Sequence, residues 1–257
     1  MSSSQSISSQ RALASLLLLL AQAHCLERLK FVTNVRSPTA KQVGCPYAQR
    51  VWMALELTEV DYERVEIDLR AKPDWFLEAS PLGRVPCIID AEGTAIVESM
   101  ALVEYVDEIS PGRDLTPAAP AARAAARALA WRCDARFVPR GFAFLCYGGR
   151  GRRDAFVDEL QFLDDALRGR RFLAGDRPGL ADVAYAPFVE RLEAALGAHR
   201  GGSVRDMSHA HDLARVASWL DALDGAAEYA ATKCAGAGEI AAVYRPRATR
   251  RMSYLRQ

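Results

Sequence analysis

The sequence predicts an α/β domain followed by an all-α domain, and two observations support this. In the first half of the chain, short apolar strand-like runs alternate with helical patterns in the order β-α-β, connector, β-β-α. After the proline-rich stretch PGRDLTPAAP, every periodic segment is helical. At 257 residues the chain is long enough for two domains with cores of their own. We therefore assign residues 27–112 to the first domain, 113–120 to a linker and 121–232 to the second domain.

The α/β half begins with a predicted strand, LKFVT from Leu29, which the polar loop NVRSPTAKQVG follows. After Cys45, apolar residues recur at helical spacing, and Pro46 suits the first turn of that helix. The segment YERVEIDL alternates apolar and charged residues, as expected of a strand with one solvated face. The runs RVPCIID and TAIVES predict a hairpin, and a second helix then ends at SPG.

The second half predicts several helices. One of them, DAFVDELQFLDDAL, carries large apolar residues at steps of four, three and four, which form a core-facing stripe: Phe156, Leu160, Leu163 and Leu167. The others are AARAAARALAWRCDARF, LADVAYAPFVERLEAAL and DLARVASWLDAL. Aromatic residues of this half could line an apolar cleft for a second substrate or pack in the core: Trp131, Phe137, Phe142 and Phe144.

The composition excludes several classes of protein. The formal net charge is +1, and 50% of the residues are hydrophobic and 25% charged, so nothing argues for nucleic acid binding. The six cysteines are widely spaced and form no C-x-x-C pair, which argues against a disulfide framework or a zinc site. His209 and His211 would point to different sides of a helix, so we predict no metal site.

Both ends of the chain differ in composition from the rest. Residues 1–26 combine a segment without acidic residues, the apolar block ALASLLLLL and a small-x-small sequence, in the order of a secretory signal peptide. The alternatives are an apolar extension and the first half of a bipartite plastid signal. We expect a secretory or plastid location after cleavage near Ala23, and a cytoplasmic one if the leader is not functional. Residues 233–257 hold six basic residues against one acidic residue and are predicted to be a poorly ordered basic tail.

Cys45 is the candidate catalytic residue. Free N–H groups and the helix dipole at a helix N-terminus favour the thiolate, so we expect the pKa of this thiol to lie well below its usual value of about 8.5. The alternative is that Cys45 is a buried small residue.

Three further segments could form a ligand site around this thiol. Pro86 cannot donate to a sheet, and it predicts either an ordinary edge strand or a cis turn that leaves neighbouring backbone groups free. Ser99 is predicted to cap a helix whose first amides could hold a carboxylate, while Glu98 could receive an ammonium group. Lys72 could bind a second carboxylate, or it is a surface lysine. A thiol between such charged sites fits glutathione.

The chain resembles the cysteine-type glutathione transferases, most closely the lambda class and then the omega and dehydroascorbate reductase classes. The resemblance extends from about Leu29 to Thr232 and rests on five ordered segments: CPYAQRVW, IDLRAKPDWF, PLGRVPCIID, IVESMALVEYVDE and FLAGDRPGLADVAYAPFVERL. It implies the cytosolic glutathione transferase architecture, in which an α/β thioredoxin-like N-terminal domain is followed by an all-α C-terminal domain.

The resemblance also implies roles for individual residues. Cys45 would be the catalytic thiol, and Lys72 would bind the glycyl carboxylate of glutathione. Val85, before a cis Pro86, would pair its backbone with the cysteinyl part. Three more residues would contact glutathione: Tyr47 as an aromatic neighbour, and Glu98 and Ser99 at the γ-glutamyl end.

The chain departs from the family pattern at two places. Asp182 matches the capping-box aspartate of the helical domain, but Gly179 stands where the family usually has Ser or Thr. We expect this to weaken the helix start by about a few tenths of a kcal/mol. The loop before Cys45 is also longer than is common, which predicts a different approach to the sulfur.

Ala48, three residues after Cys45, leaves no resolving cysteine of the thioredoxin kind, and this favours a monothiol cycle. We therefore expect a glutathione-dependent thiol transferase or reductase that removes glutathione from mixed disulfides or small-molecule adducts. Glutathione is the implied co-substrate, and no metal is implied. Dehydroascorbate reduction, glutathione conjugation and a non-catalytic glutathione-binding module are the alternatives. We also expect Cys87 to face the packed side of its strand, no stable membrane insertion, and a monomer rather than a homodimer.

Overall fold

The computed structural model describes residues 28–35, 44–233 and 235–245. The predicted leader, residues 1–26, lies outside these ranges, as does the predicted tail beyond Arg245. Most of the polar loop before Cys45 also lies outside them.

The N-terminal domain is built on a mixed sheet, which has four strands in the described part of the chain: β1 (Leu29–Asn34), β2 (Tyr62–Ile67), β3 (Cys87–Ile89) and β4 (Ala95–Val97). The strand order is β2-β1-β3-β4, with β1 and β2 parallel and the other pairs antiparallel. Val32 on β1 pairs with Val65 on one side and with Cys87 on the other. The predicted hairpin is confirmed as β3 and β4.

Helices cover both faces of this sheet: α1 (Pro46–Thr58), α2 (Asp74–Ala79) and α3 (Ser99–Glu108). α1 and α3 pack on the face that carries Ile88, whereas α2 buries Phe76 on the face that carries Cys87. α1 begins at Pro46 as predicted, because the fixed φ and missing N–H of proline suit a first helical turn. α2 lies within the predicted connector, since six residues are too few to show a helical period.

The C-terminal domain is helical throughout its described residues. Its elements are α4 (Pro120–Arg132), a π-helical turn (Cys133–Phe137), α5 (Val138–Tyr147), α6 (Arg150–Ala166), α7 (Leu180–Arg200), α8 (Val204–Ala210), α9 (Ala214–Asp224), α10 (Ala227–Thr232) and α11 (Ala237–Val243). α7 is central, because it packs against α1 of the N-terminal domain and against α4, α5, α8 and α11 of its own. The two domains therefore share one hydrophobic core.

The predicted stripe on α6 is confirmed, since all four of its apolar residues are buried: Phe156, Leu160, Leu163 and Leu167. The four aromatic residues that were considered as a cleft wall differ in their burial. Phe137, Phe142 and Phe144 pack in the core, whereas Trp131 is 70% exposed on α4. None of them is among the residues that line the cleft described below, and Trp131 instead lines a second cavity, between α4 and α6 of the helical domain.

The start of α7 depends on one buried carboxylate. Asp182 accepts hydrogen bonds from the backbone N–H groups of Gly179 (3.0 Å), Leu173 (2.9 Å) and Ala174 (3.2 Å), and from the indole N–H of Trp219 (2.8 Å). Because glycine has no side chain, only the aspartate half of the capping box forms, as predicted. The other donors bind the same carboxylate to the loop before α7 and to α9.

The prediction of a poorly ordered tail from residue 233 is wrong for part of that segment. Residues 237–243 form α11, and Ile240 is only 2% exposed. The imidazole Nε2 of His199 lies 2.8 Å from the carbonyl oxygen of Ala241, and the rings of Phe142 and Tyr244 lie 5.6 Å apart. The sequence of α11, AGEIAAV, contains no basic residue, and its apolar residues pack on α7, so the helical domain continues past its predicted end.

Within the described ranges, no helix combines the length and the apolar character that a membrane span requires. The apolar block ALASLLLLL lies outside those ranges.

Candidate active site

Cys45 lies at the N-terminus of α1, beside the loop that leads into β3. Its backbone is extended (φ −67°, ψ 125°), and its carbonyl oxygen accepts a helical hydrogen bond from the N–H of Gln49 (2.9 Å). The side chain is half-buried, with Sγ 3.8 Å from the carbonyl oxygen of Val85. The Val85–Pro86 peptide bond is cis. Of the two alternatives for Pro86, the cis turn is therefore confirmed. The structure thus brings the predicted thiol and the predicted cis turn together.

Burial raises the pKa of the Cys45 thiol, so the expectation of a lowered pKa is wrong. The backbone N–H groups of Ala48 and Tyr47 and the guanidinium groups of Arg191 and Arg50 oppose this effect. The sequence revealed the helix N-terminus, but not the burial around the sulfur, which is the largest influence on its pKa. The thiol therefore has partners that favour its ionised form, in a site where desolvation is the larger influence.

A cleft of about 460 Å³ opens between the two domains. This volume lies within the usual range for small-molecule sites. Cys45 is not among the residues that line the cleft, but its sulfur lies 3.8 Å from the carbonyl oxygen of Val85, which does line it. The cleft is lined by five of the seven predicted site residues: Tyr47, Val85, Pro86, Glu98 and Ser99. The N-terminal domain also contributes Arg84 and the helical domain contributes Asp134, Val138 and Pro139, which sequence reasoning did not identify.

Glu98 and Ser99 lie at the start of α3. Glu98 occupies the N-cap position with φ 74° and ψ 112°. A positive φ is unfavourable for a residue with a side chain and costs about 1–3 kcal/mol, and such strain concentrates at functional sites. Ser99 is the first helical residue, so its prediction as the N-cap is wrong. Its hydroxyl instead accepts a hydrogen bond from the guanidinium of Arg50 (3.4 Å).

Lys72 lies outside the cleft. Its side chain is exposed, and a Cβ atom placed on Gly83 would stand 2.7 Å from its Nζ. Gly83 stands between Leu82 and Arg84, which both line the cleft. The structure therefore places Lys72 against the loop that forms the cleft wall, and not within the cleft itself.

Arg50 and Asp134 connect the cleft to the core. Arg50 is fully buried and donates to both carboxylate oxygens of Asp134 (2.7 and 3.0 Å) and to the carbonyl oxygen of Ala184 on α7 (3.0 Å). Its guanidinium also lies over the ring of Phe188, 4.6 Å from the centroid. One side chain of α1 thereby contacts both the start of α3 and the helical domain.

The sequence alone could have indicated that Arg50 has a buried partner, but it could not have indicated Asp134. Arg50 lies four residues before Ala54 on the buried face of α1, where a charged group needs a partner. Asp134 carries no such signal, because it belongs to the π-helical turn Cys133–Phe137, whose geometry breaks the helical period.

The other described cysteines differ from Cys45 in their surroundings. Cys87 is buried against α2, on the sheet face opposite α1, as predicted, and burial raises its pKa to about 11. Cys133 is buried between the domains, and burial raises its pKa to about 12. Cys146 lies half-buried at the end of α5. Cys45, Cys87 and Cys133 form no disulfide bond within the described residues. Among the described residues, no group of three or more His, Cys, Asp or Glu side chains could hold a metal ion.

Comparisons with known proteins agree with this geometry. A family model for the glutathione S-transferase N-terminal domain matches residues 44–109, and one for the C-terminal domain matches residues 120–229. A rice protein (Oryza sativa subsp. japonica) named probable glutathione S-transferase DHAR1, cytosolic, is 30% identical over 192 residues, which cover 74% of this chain and 84% of the rice protein. The chain belongs to the glutathione S-transferase family.

Other members of the family show similar relations. Mouse (Mus musculus) glutathione S-transferase omega-1 is 32% identical over 155 residues, which cover 58% of this chain and 64% of the mouse protein. The crystal structure of glutathione transferase Omega 2C from Trametes versicolor superimposes with a TM-score of 0.71 at 28% identity, covering 85% of this chain and 97% of that one. These relatives are of the omega and dehydroascorbate reductase types, so the predicted cysteine-type membership is confirmed. Placement in the lambda class stays a prediction.

Proposed function

We propose that this glutathione transferase is a glutathione-dependent thiol transferase or reductase that works through a monothiol cycle at Cys45. The observation that carries the proposal is the position of this sulfur relative to the other cysteines that the structure describes. Cys45 lies beside the interdomain cleft, whereas Cys87 faces the other side of the sheet and Cys133 is buried. Ala48 stands where a dithiol enzyme of the thioredoxin kind has its second cysteine.

In this proposal glutathione lies along the cleft with its sulfur at Cys45. The backbone of Val85, before Pro86, pairs with its cysteinyl part, and the first amides of α3 with Ser99 and Glu98 hold its γ-glutamyl end. Tyr47 lies beside the tripeptide, and Lys72 binds the glycyl carboxylate from the rim of the cleft. The position of Lys72 outside the cleft makes its role the least supported by the geometry.

The cycle has two steps. The Cys45 thiolate attacks the glutathione sulfur of a mixed disulfide, the substrate leaves as a thiolate that takes up a proton, and Cys45 retains glutathione as a new disulfide. The thiolate of a second glutathione then attacks the bound glutathione sulfur, which releases oxidised glutathione and restores Cys45. Burial raises the pKa of Tyr47 to about 12, so its phenol stays protonated at neutral pH.

Turnover of a glutathione mixed disulfide tests the proposal. We expect Cys45→Ser to lose thiol transfer, because a serine hydroxyl does not form the mixed disulfide, while Cys146→Ser, which removes another half-buried thiol, retains it. Full activity of Cys45→Ser would exclude the monothiol cycle. A wild-type protein that binds glutathione but turns over no substrate would favour the non-catalytic binding module.

Dehydroascorbate reduction is the second candidate, and the name of the rice relative is the observation that favours it. The same thiol would reduce the substrate, and glutathione would again restore it. Parallel assays with dehydroascorbate and with a glutathione mixed disulfide separate the two candidates.

We also propose that the enzyme acts as a monomer. Both walls of the cleft come from one chain, so a second copy is not needed to complete the site. One structurally similar transferase, from Leishmania, is described as trimeric, but its 22% identity supports only the fold.

A further inference from the structure

The peptide group between Gly44 and Cys45 is held by a side chain at each end. Its carbonyl oxygen, on Gly44, accepts a hydrogen bond from Nη2 of Arg191 (2.9 Å). Its N–H, on Cys45, donates to Oδ1 of Asn34 (3.1 Å). The two supporting side chains come from different domains, since Asn34 ends β1 and Arg191 lies on α7.

Both supports are buried and anchored. Asn34 is 8% exposed and Arg191 is 1% exposed. The guanidinium of Arg191 also donates to the carbonyl oxygen of Pro187 (3.0 Å), to the carboxylate of Glu190 (2.7 Å) and to the side-chain oxygen of Gln49 on α1. Gln49 in turn donates to Glu190 (2.9 Å). Arg191 therefore lies in a network that joins α7 to the first turns of α1.

We propose that Asn34 and Arg191 are positioning residues that fix the Gly44–Cys45 peptide and thereby hold the Cys45 sulfur at the cleft in the orientation for attack. This inference rests on the proposed catalytic role of Cys45. It names two residues outside the glutathione-contacting set, and it makes the helical domain necessary for the geometry of a thiol that the N-terminal domain carries.

The physical reason is the precision that nucleophilic attack requires. A misplacement of about 1 Å at a reacting atom can cost about 100-fold in rate. Two hydrogen bonds to opposite ends of one peptide plane restrict its rotation, and that plane sets the direction of the Cα–Cβ bond of Cys45. They also keep the carbonyl dipole of Gly44 directed at Arg191.

The titratable and charged groups around Cys45 lie on α1, on α7 and on the π-helical turn, whose Asp134 pairs with Arg50. α1 contributes Arg50 and the phenol of Tyr47, and α7 contributes Arg191 with Glu190 beside it. Arg191 favours the thiolate. Its removal would withdraw a positive charge and leave the Glu190 carboxylate without its guanidinium partner, and both changes would disfavour the thiolate.

The experiment uses the full chain and three test variants: Asn34→Ala, Asn34→Asp and Arg191→Met. Arg200→Met is the matched control, because Arg200 also lies on α7 and also donates to a backbone carbonyl, that of Leu145 (2.9 Å), but at α5 and away from the cleft. Steady-state thiol transfer yields kcat and KM, and the pH midpoint of Cys45 alkylation by iodoacetamide is a readout that needs no glutathione. Thermal unfolding checks that each variant is folded.

We expect Asn34→Ala and Arg191→Met to lower kcat about 10- to 100-fold with little change in KM for glutathione, whose contacts lie on other elements. Asn34→Asp retains an acceptor for the Cys45 N–H but adds a negative charge, so it should raise the alkylation midpoint, as should Arg191→Met. These midpoints report the charge of the two residues at Cys45, whereas the positioning role is measured by kcat in Asn34→Ala, which changes no charge. Arg200→Met should change neither kcat nor the midpoint.

Folded Asn34→Ala and Arg191→Met proteins with wild-type kcat would overturn the proposal. If Arg191→Met does not fold, the two Asn34 variants decide it. An inactive wild-type enzyme would refute the proposed function, and the rate of Cys45 alkylation at a pH where the thiol is ionised would then decide the proposal: changed in the uncharged variant Asn34→Ala if the hydrogen bond to the Cys45 N–H orients the sulfur, and unchanged if it does not.

Discussion

At the scale of single residues, the environment of Cys45 combines opposing influences. The N–H groups of Ala48 and Tyr47 and two guanidinium groups favour the thiolate, while burial favours the thiol. Burial is the largest of these influences, because a charged sulfur loses more hydration than the nearby dipoles return.

The pH dependence of Cys45 reactivity tests this balance. Since the thiolate is the nucleophile and burial raises the pKa of the thiol, alkylation and thiol transfer should both accelerate as the pH rises through the alkaline range. We expect an alkylation midpoint above the ordinary value of about 8.5. Subtracting the rate of Cys45→Ser removes the contribution of Cys146. A midpoint well below the ordinary value would mean that the helix N-terminus prevails, as the sequence alone suggested.

Glu98 is the second informative residue. Its backbone has a positive φ, which is a strained conformation for a residue with a side chain. Its carbonyl oxygen accepts a hydrogen bond from the N–H of Leu102 (2.9 Å), and this bond fixes Glu98 at the start of α3. The strained backbone sets the direction in which the first amides of α3 enter the cleft.

At the scale of secondary-structure elements, the start of α7 explains a departure from the family pattern. A Cβ atom on Gly179 would stand 2.5 Å from Cβ of Ala174 and 2.7 Å from the carbonyl oxygen of Leu115. That carbonyl accepts a hydrogen bond from the N–H of Leu180 (3.0 Å). The linker therefore occupies the space that a serine or threonine cap would need, and Asp182 supplies the remaining cap.

We expect Gly179→Ser to destabilise the protein by about 1–3 kcal/mol, although it restores the capping-box sequence, because overpacking against backbone costs more than the added cap returns. Gly197→Ala on the same helix is the control. Its added Cβ would lie 3.4 Å from Cβ of Ser203, an ordinary contact, and it should gain about 0.5–1 kcal/mol. Urea unfolding measures both changes. A Gly179→Ser protein as stable as the wild type would mean that the linker moves aside easily.

At the scale of the whole molecule, the site belongs to neither domain alone. The cleft lies between α3 and the π-helical turn, and α7 packs against α1 directly behind the thiol. Arg50 donates to Asp134 and Ala184, so a buried charge of one domain is neutralised by the other. The arrangement makes the two domains one cooperative unit around the cleft.

A cleft completed within one chain predicts activity that is independent of association. We expect light scattering to give the mass of a single chain and specific activity to stay constant on serial dilution, since no residue of a second copy is needed. Activity that falls with dilution, in parallel with a fall in mass, would contradict the proposal of a monomer. Addition of an inert carrier protein controls for adsorption at low concentration.

Much of this architecture was predictable because it depends on local patterns. Three features depend on only a few neighbouring residues: the alternation of apolar and charged residues in β2, the apolar stripe on α6, and the start of α1 at Pro46. All three are confirmed. The short helix α2 and the helix α11 were not predicted. α2 is too short to show a period, and α11 owes its existence to the burial of Ile240 on α7 rather than to its own composition.

The candidate site also has features that local sequence patterns predicted and features that they did not. The sequence by itself determined the α/β and all-α order, the lone thiol at a helix start, and the Val85–Pro86, Glu98 and Ser99 positions that line one cleft. Only the tertiary structure decided the protonation balance of Cys45, the place of Lys72 outside the cleft and the supports from Asn34 and Arg191. Desolvation and long-range hydrogen bonds join residues far apart in the chain, so no local pattern records them.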